Sequence, residues 1–398
     1  MIEKLLQENV QEFIRQHAND DEQALLLKHK TIYDVPASIV AWQIAGRRKA
    51  QAKIPVYYNT SQILYPPGVN LEQSSSAQTA AFKASVLAQK LPAATRVVDL
   101  SGGFGVDTFF LSQKFKQVVS VEPNADLLSY ARHNHVTLNA NNVQHVNSTA
   151  EDYLESLKDE VDCFYIDPSR RSATNNRVVR LADCEPDVVS LLPQMFRHAH
   201  YVLIKAAPLL DIQLGMQELS CVDFVWVVSV KNEVKELLFL CSKHPAAKPA
   251  LTAVNLETDH QELTFEFSEE QNASVRFSDP LTYLYEPNAS ILKAGAFKLV
   301  AERFSLAKLH PNTHLYTSNN RVDNFPGRIF EVTALLKADL REIALHFPGG
   351  RANVISRNHP LPADALKKKL KLQDGGEKYL IGCAGQKQKF LIAATRLK

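Results

Sequence analysis

From Val97 to Cys241 the chain alternates short apolar, largely β-branched runs with stretches of helical character, and this alternation limits the fold more than any other feature. The runs lie at Val97–Leu100, Val118–Val121, Val143–Asn147, Val161–Ile166 and Tyr201–Ile204, with helices expected between them, as at Leu127–Asn139 and Val188–Arg197. Apolar runs of this kind suit strands covered by helices on both faces, the setting of a parallel sheet. Phe224–Val230 and Leu237–Cys241 then flank a polar turn, Lys231–Glu236, and read as a closing hairpin. The expected class is α/β, a mostly parallel sheet with a terminal antiparallel hairpin.

The first strand runs into Ser101-Gly102-Gly103-Phe104-Gly105, where the glycines permit positive φ and let a ligand approach the main chain, ahead of a helix expected at Asp107–Gln113. In such sheets ligands bind beyond the carboxyl ends of the strands. Acidic residues fall at those ends: Asp99 closes the first strand, Glu122 the second, Glu151 and Asp152 follow the third, and Asp167 closes the fourth. A carboxylate after the second strand can accept both hydroxyls of a ribose, and one after the third can accept from an adenine amino group. The same glycines with Glu122 also fit a dinucleotide dehydrogenase, whose acidic residue lies ~20 positions beyond the glycine turn.

The 398 residues exceed one ordinary core, so two or three domains are expected. With 45% hydrophobic and 22% charged residues the composition is that of a globular protein, not a disordered one. No apolar run reaches membrane-spanning length, and polar residues interrupt the first twenty positions where a secretion signal needs an apolar core. A cytoplasmic location without membrane contact is the expectation. The five cysteines, Cys163, Cys184, Cys221, Cys241 and Cys383, show no ligand spacing, so neither a metal site nor a disulfide framework is expected.

Net charge is only +2, yet residues 280–398 hold 19 Lys and Arg against 9 Asp and Glu. A basic tail on an otherwise acidic chain suits either a polyanionic partner or a solvated basic surface. Residues 1–69 read as a helical region, with Ile2, Leu5, Leu6, Val10 and Phe13 at helical spacing, a second helix starting at Asp34-Val35-Pro36, and an irregular connection over Tyr57–Pro67. An Ala-rich helix, Ala77–Gln89, follows Ser74–Ser76, and its lead-in is placed to fold over the glycine turn. Beyond the sheet, residues 246–324 form a connecting region. In it, Ala253–Leu256 and Leu263–Phe267 make a hairpin around Glu257–Glu262, and Tyr283–Pro287 introduces one helix from Ala289 to near Phe304. From Phe325 the strands Arg328–Val332, Ala352–Ser356, Tyr379–Cys383 and Phe390–Thr395 interleave with helices Lys337–His346 and Pro362–Leu372, a small α+β module over 325–398.

The hairpin and the run Asp167-Pro168-Ser169-Arg170-Arg171 resemble the class I S-adenosylmethionine-dependent methyltransferases, a Rossmann-like family. EQSSSAQTAAFKA (Glu72–Ala84), DPSRR, and the tail ANVISRNHPL with LKKKLKLQDGGEKYLIG resemble more narrowly the bacterial methyltransferases with a THUMP-like C-terminal domain. The resemblance implies a methyltransferase domain over 70–245 and a ferredoxin-like half over 246–324. It implies S-adenosyl-L-methionine held by Asp99, Ser101, Gly102, Gly103, Gly105, Glu122, Glu151 and Asp152, and an RNA base as acceptor, oriented by Asp167 with Pro168 and Arg170. THUMP domains bind RNA, so Arg351, Arg357, Lys367, Lys368, Lys369 and Lys371 would meet phosphates. The sequence departs from amino-group methyltransferases at Ser169 and Arg170, which stand where that family has a second proline and an aromatic ring. Arg170 and Arg171 suit a phosphate clamp, stacking on a base, or salt bridges within the loop. Neither Asp167–Ser172 nor Lys205–Pro208 contains a cysteine, which disfavours a cysteine-adduct route; Lys205 reads as a structural lysine at a strand end, with an approach to the acceptor as the alternative. A small-molecule or protein acceptor, and a non-catalytic RNA-binding protein on this fold, stay open as alternatives.

Overall fold

The structure, a computed structural model, describes residues 1–170, 180–256 and 261–397. The chain divides into two compact units, Met1–Asp223 with Leu237–Ala247, and Phe224–Glu236 with Lys248–Lys398.

In the first unit, α1 (Ala37–Lys53) and α2 (Ala77–Lys90) precede β1 (Arg96–Asp99), α3 (Val106–Ser112), β2 (Gln117–Val121), α4 (Ala125–Thr137), β3 (Val143–Val146), α5 (Ala150–Ser156), β4 (Cys163–Ile166), α6 (Val188–His198), β5 (Tyr201–Ala206) and α7 (Ile212–Leu219). The chain continues into β6 (Val222–Val230) and β7 (Glu233–Ser242). Within the unit the strands stand in the order β3-β2-β1-β4-β5-β7, all parallel except β7, which runs antiparallel to β5. The mainly parallel α/β sheet expected from the alternating runs is the one observed. Val97, Val98, Val118, Phe164, Leu203 and Ile204 are fully buried or nearly so, because helices cover both faces of these strands.

Side chains that precede the flanking helices close their amino ends. Ser76, Asn124, Thr149, Asp187 and Asp211 each accept a hydrogen bond from a backbone N–H of the first turn. By contrast, α3 is preceded by Gly105 and has no side-chain cap.

The N-terminal region packs Leu5, Val10, Ile14, Leu25, Val40 and Ile44 into a core that reaches Leu64 and Tyr130 of α4. Two amide side chains clasp the extended segment behind it. Gln43 donates to the Tyr65 carbonyl (2.7 Å) and accepts from the Tyr65 N–H (2.8 Å), and Asn134 does the same for Leu64 (2.8 and 2.9 Å). The second helix begins at Ala37 and not at Asp34, because Val35-Pro36 pairs antiparallel with Thr31-Ile32. A helical turn, Pro55–Asn59, opened by its proline, runs into the start of the Tyr57–Pro67 connection expected to be irregular.

In the second unit the turn between β6 and β7 is shorter than the expected Lys231–Glu236. Only Lys231 and Asn232 lie between the strands, both left-handed (φ 51° and 60°), as a tight two-residue hairpin requires. β8 (Ala250–Asn255) runs parallel to β6 and pairs antiparallel with β9 (Gln261–Glu266). Leu263 and Phe265 are buried, whereas Phe267 begins a helix instead of extending the alternation; residues 257–260 of the expected turn lie outside the described residues. The single helix expected from Ala289 is broken into α8 (Ala289–Ala294) and α9 (Phe297–Arg303), since Gly295 adopts φ 79°.

The remaining strands are β10 (Tyr283–Pro287), β11 (Ala307–His310), β12 (Thr313–Ser318), β13 (Gly327–Leu336), β14 (Asn353–Arg357), β15 (Lys378–Ala384) and β16 (Lys389–Arg396). With the short strand Arg276–Phe277 they form an eight-stranded sheet in the order Arg276–Phe277, β11, β12, β10, β13, β16, β15, β14. α10 (Leu340–His346) follows β13 and α11 (Ala363–Leu370) follows β14, so the last seventy residues form the expected α+β module. Tyr285 is fully buried and belongs to the core.

Candidate active site

Beyond the carboxyl ends of the parallel strands, the first unit encloses a cavity of about 790 Å³. The turn after β1 lines it with Ser101, Gly102, Gly103 and Gly105; Glu122 enters from the end of β2, Glu151 from the start of α5, Asp167 from the end of β4 and Lys205 from β5. The segment before α2 contributes Asn70, Gln73, Ser74 and Ser75.

Two glycines have steric reasons to be glycine. A Cβ on Gly102 would lie 2.3 Å from the Ser120 Oγ, and one on Gly105, whose φ is 86°, would lie 2.7 Å from the His135 Nε2. A carboxylate and a ring hold the turn from either side. Glu122 accepts from the Gly103 N–H (2.9 Å) with one oxygen and from the Asn124 N–H (2.8 Å) with the other. The Gly105 carbonyl accepts from His135 Nε2 (2.8 Å), so that nitrogen carries the proton; Nδ1 is then the acceptor for His145 Nε2 (2.8 Å). Burial lowers both imidazoles to about 4, so each is neutral at pH 7.

Asp99 does not line the cavity. It is fully buried beneath the turn, where Oδ1 accepts from the Ser101 N–H (2.9 Å) and hydroxyl (3.1 Å) and Oδ2 from the Thr108 hydroxyl (2.6 Å). Burial pushes its carboxyl up to about 7 despite the hydrogen bonds from Thr108 and Ser101. The Ser101 hydroxyl that donates to Asp99 accepts from the Asp167 N–H (2.8 Å), which ties the end of β4 to the glycine turn. Asp152 is exposed and outside the cavity, with its backbone N–H capped by Thr149. Pro168 is buried, Ser169 lines the cavity, and Arg170 pairs through its backbone with Cys184. The Arg170 side chain and Arg171 lie outside the described residues.

Beside the expected residues lies a charged network that sequence pattern alone did not reveal. Lys83, 1% exposed, donates to Ser75 (2.9 Å) and sits 3.1 Å from an Asp107 oxygen. Ser75 (2.8 Å) and Tyr165 (2.9 Å) donate to the other oxygen of Asp107. Burial alone would raise the Asp107 carboxyl, but the charges of Lys83 and Lys205 with those hydrogen bonds hold it below its usual value. Lys205 in turn pairs with Asp167. One signal was available: Lys83 falls in register with Thr79, Ala80 and Leu87 on the apolar stripe of α2, where an uncompensated ammonium is too costly to bury. Among the described residues no group of three or more His, Cys, Asp or Glu is placed to hold a metal ion, and no helix is long and apolar enough to cross a membrane.

The profile of a ferredoxin-like domain matches residues 283–326, and that of a THUMP domain-like family matches 327–396. Over the whole length, the structure resembles that of a candidate methyltransferase from Porphyromonas gingivalis W83, at 33% identity and a TM-score of 0.86, covering 98% of this chain and 97% of that one. The chain belongs to the class I methyltransferase family that ends in a THUMP-like domain. Two other solved structures are matched over part of this family member. A candidate methyltransferase from Streptococcus mutans in complex with SAH is 13% identical, covers 40% of this chain and 95% of its own, and has a TM-score of 0.30. A candidate class I S-adenosylmethionine-dependent methyltransferase from Listeria monocytogenes is 11% identical, with coverages of 62% and 92% and a TM-score of 0.40. No curated protein matches the sequence.

Proposed function

We propose that the protein transfers a methyl group from S-adenosylmethionine to RNA. The observation that carries this reading is the convergence of Gly102, Gly103, Gly105, Glu122 and Glu151 with Asp167 on one cavity. Its volume of about 790 Å³ suits a nucleoside-sized ligand. The donor set suits the cofactor. A carboxylate offers about four lone-pair directions, and the two hydrogen bonds that Glu122 accepts from the backbone leave capacity for a ribose diol. Glu151, on the cavity wall, would accept from an adenine amino group, and Ser101 with the glycine backbone would meet the methionine portion. Asp99 acts through that backbone by pinning Ser101 and Thr108. Bound, the cofactor supplies an electrophilic methyl on sulfonium; the chain's part is to position the acceptor in line with it. Asp167 is the acceptor-orienting carboxylate, with Pro168 and Arg170 shaping its loop.

RNA as substrate rests on the THUMP-like module and its basic surface. Arg351, Lys368, Lys369 and Lys371 are exposed, whereas Lys367 is engaged by Asp364 and Asp374 (2.8 Å each) and Arg357 by the buried Glu286 (2.6 Å). In this reading residues 70–245 bind the cofactor, 246–324 connect, and 325–398 dock the RNA. Incubation with radiolabelled S-adenosylmethionine and size-fractionated cellular RNA tests it. Label enters an RNA fraction with the wild type and is lost with Asp167→Ala; label confined to protein or small molecules sinks the RNA assignment, and absent cofactor binding in calorimetry sinks the whole.

A further inference from the structure

The acceptor end of the cavity presents an acid and a base side by side. Asp167 lies at the end of β4 and Lys205 near the end of β5, one strand over; they form an ion pair, both line the cavity, and their side chains are 32% and 15% exposed. The same charged network includes Asp107, which is paired with the buried Lys83 and is held below its usual value by the charges of Lys83 and Lys205. Lys205 is therefore an ammonium on the wall of the cavity, paired with Asp167, whose charge also reaches Asp107.

We infer that the acceptor atom is a hydroxyl oxygen, the 2′-hydroxyl of a ribose in RNA, and not the amino nitrogen of a base; this rests on the methyltransferase reading above. The argument is complementarity of donors and acceptors. The exocyclic amine of a base carries two N–H donors, and its lone pair is delocalised into the ring, so it is matched by two acceptors. A hydroxyl donates one hydrogen bond and accepts others. Asp167 offers an acceptor and Lys205 an ammonium with three N–H donors, and that pair is the complement of a hydroxyl. A 2′-hydroxyl is also the group that distinguishes RNA from DNA along the whole chain.

In the transfer the hydroxyl oxygen forms its bond to the methyl carbon while the carbon–sulfur bond breaks, its electron pair staying on sulfur. The hydroxyl proton passes to the Asp167 carboxylate. Lys205 donates a hydrogen bond to the reacting oxygen as negative charge develops on it, and neutralises Asp167 beforehand without removing its capacity to accept.

The test uses the full-length protein, labelled S-adenosylmethionine and the RNA fraction that it methylates, followed by alkaline hydrolysis. A 2′-O-methyl group blocks cleavage at its own phosphodiester, so the expected product is label in alkali-resistant dinucleotides. Label in mononucleotides, on the base, overturns the inference and leaves the RNA methyltransferase reading intact. No label in RNA despite cofactor binding overturns both. Lys205→Met is expected to lower kcat at least 100-fold, with affinity for S-adenosylhomocysteine changed less than threefold and partial recovery in Lys205→Arg. An unchanged kcat in Lys205→Met counts against the inference, and because product analysis on the wild type needs no variant, a folding defect cannot shield it.

Discussion

Asp99 has no exposure and its carboxyl is pushed up to about 7 by that burial, with Thr108 and Ser101 pulling in the opposite direction. Its folded-state value lies above the ordinary value of ~3.9, so between those limits the folded protein binds more protons than the unfolded chain. Its contribution to stability is full below that window and is lost as pH rises through 7. His135 and His145, lowered to about 4, work the other way: their contribution is present above ~6.5 and lost as pH falls toward 4. The difference between wild type and Asp99→Asn separates the two. Urea denaturation at a series of pH values is expected to show the variant gaining relative stability from pH 4.5 to 7.5, by up to ~1.4 kcal/mol per unit; a constant difference refutes the assignment. At Glu122 the expectation concerns binding. Glu122→Ala is expected to weaken S-adenosylhomocysteine binding 10- to 100-fold by calorimetry, because a charged acceptor is worth ~1.5–3 kcal/mol and the Gly103 N–H loses its partner as well.

At the scale of elements, the alternation of apolar runs placed the five strands β1 to β5, because both-face burial demands β-branched and apolar residues without interruption. Boundaries decided by one residue's φ were less visible. Gly295 divides a continuous helical pattern, and the hairpin turn shrinks to Lys231-Asn232 although neither is glycine. Least visible was the clasp of Leu64 and Tyr65, since an asparagine seventy positions away in α4 satisfies the Leu64 backbone. Asn134 is fully buried there. Asn134→Ala leaves a buried N–H and C=O unpaired and is expected to cost about 1–3 kcal/mol for each group left unsatisfied. Chemical denaturation measures it, and a loss under ~0.5 kcal/mol would show the clasp to be dispensable.

For the whole molecule, charge is divided along the chain, and the basic excess over residues 280–398 belongs with the α+β module. Lys368, Lys369 and Lys371 are exposed around the end of α11, so replacing all three by Glu is expected to weaken RNA binding and flatten its salt dependence. The slope of log K against log salt should fall by ~0.7–0.9 for each phosphate that is no longer neutralised, with S-adenosylhomocysteine affinity unchanged. An unaltered slope would remove these lysines from the RNA surface. The sequence by itself determined the sheet, the glycine turn and the row of acids at strand ends, because these follow from local periodicity and from positions adjacent to the strands. Tertiary structure alone decided which acids face the cavity. Asp99 turned under the loop, Asp152 turned to solvent, and Glu122, Glu151 and Asp167 reached the cavity. It also joined Lys83, Asp107, Lys205 and Asp167 from four separate elements, a juxtaposition that chain spacing does not encode because strand order in the sheet differs from order in the sequence.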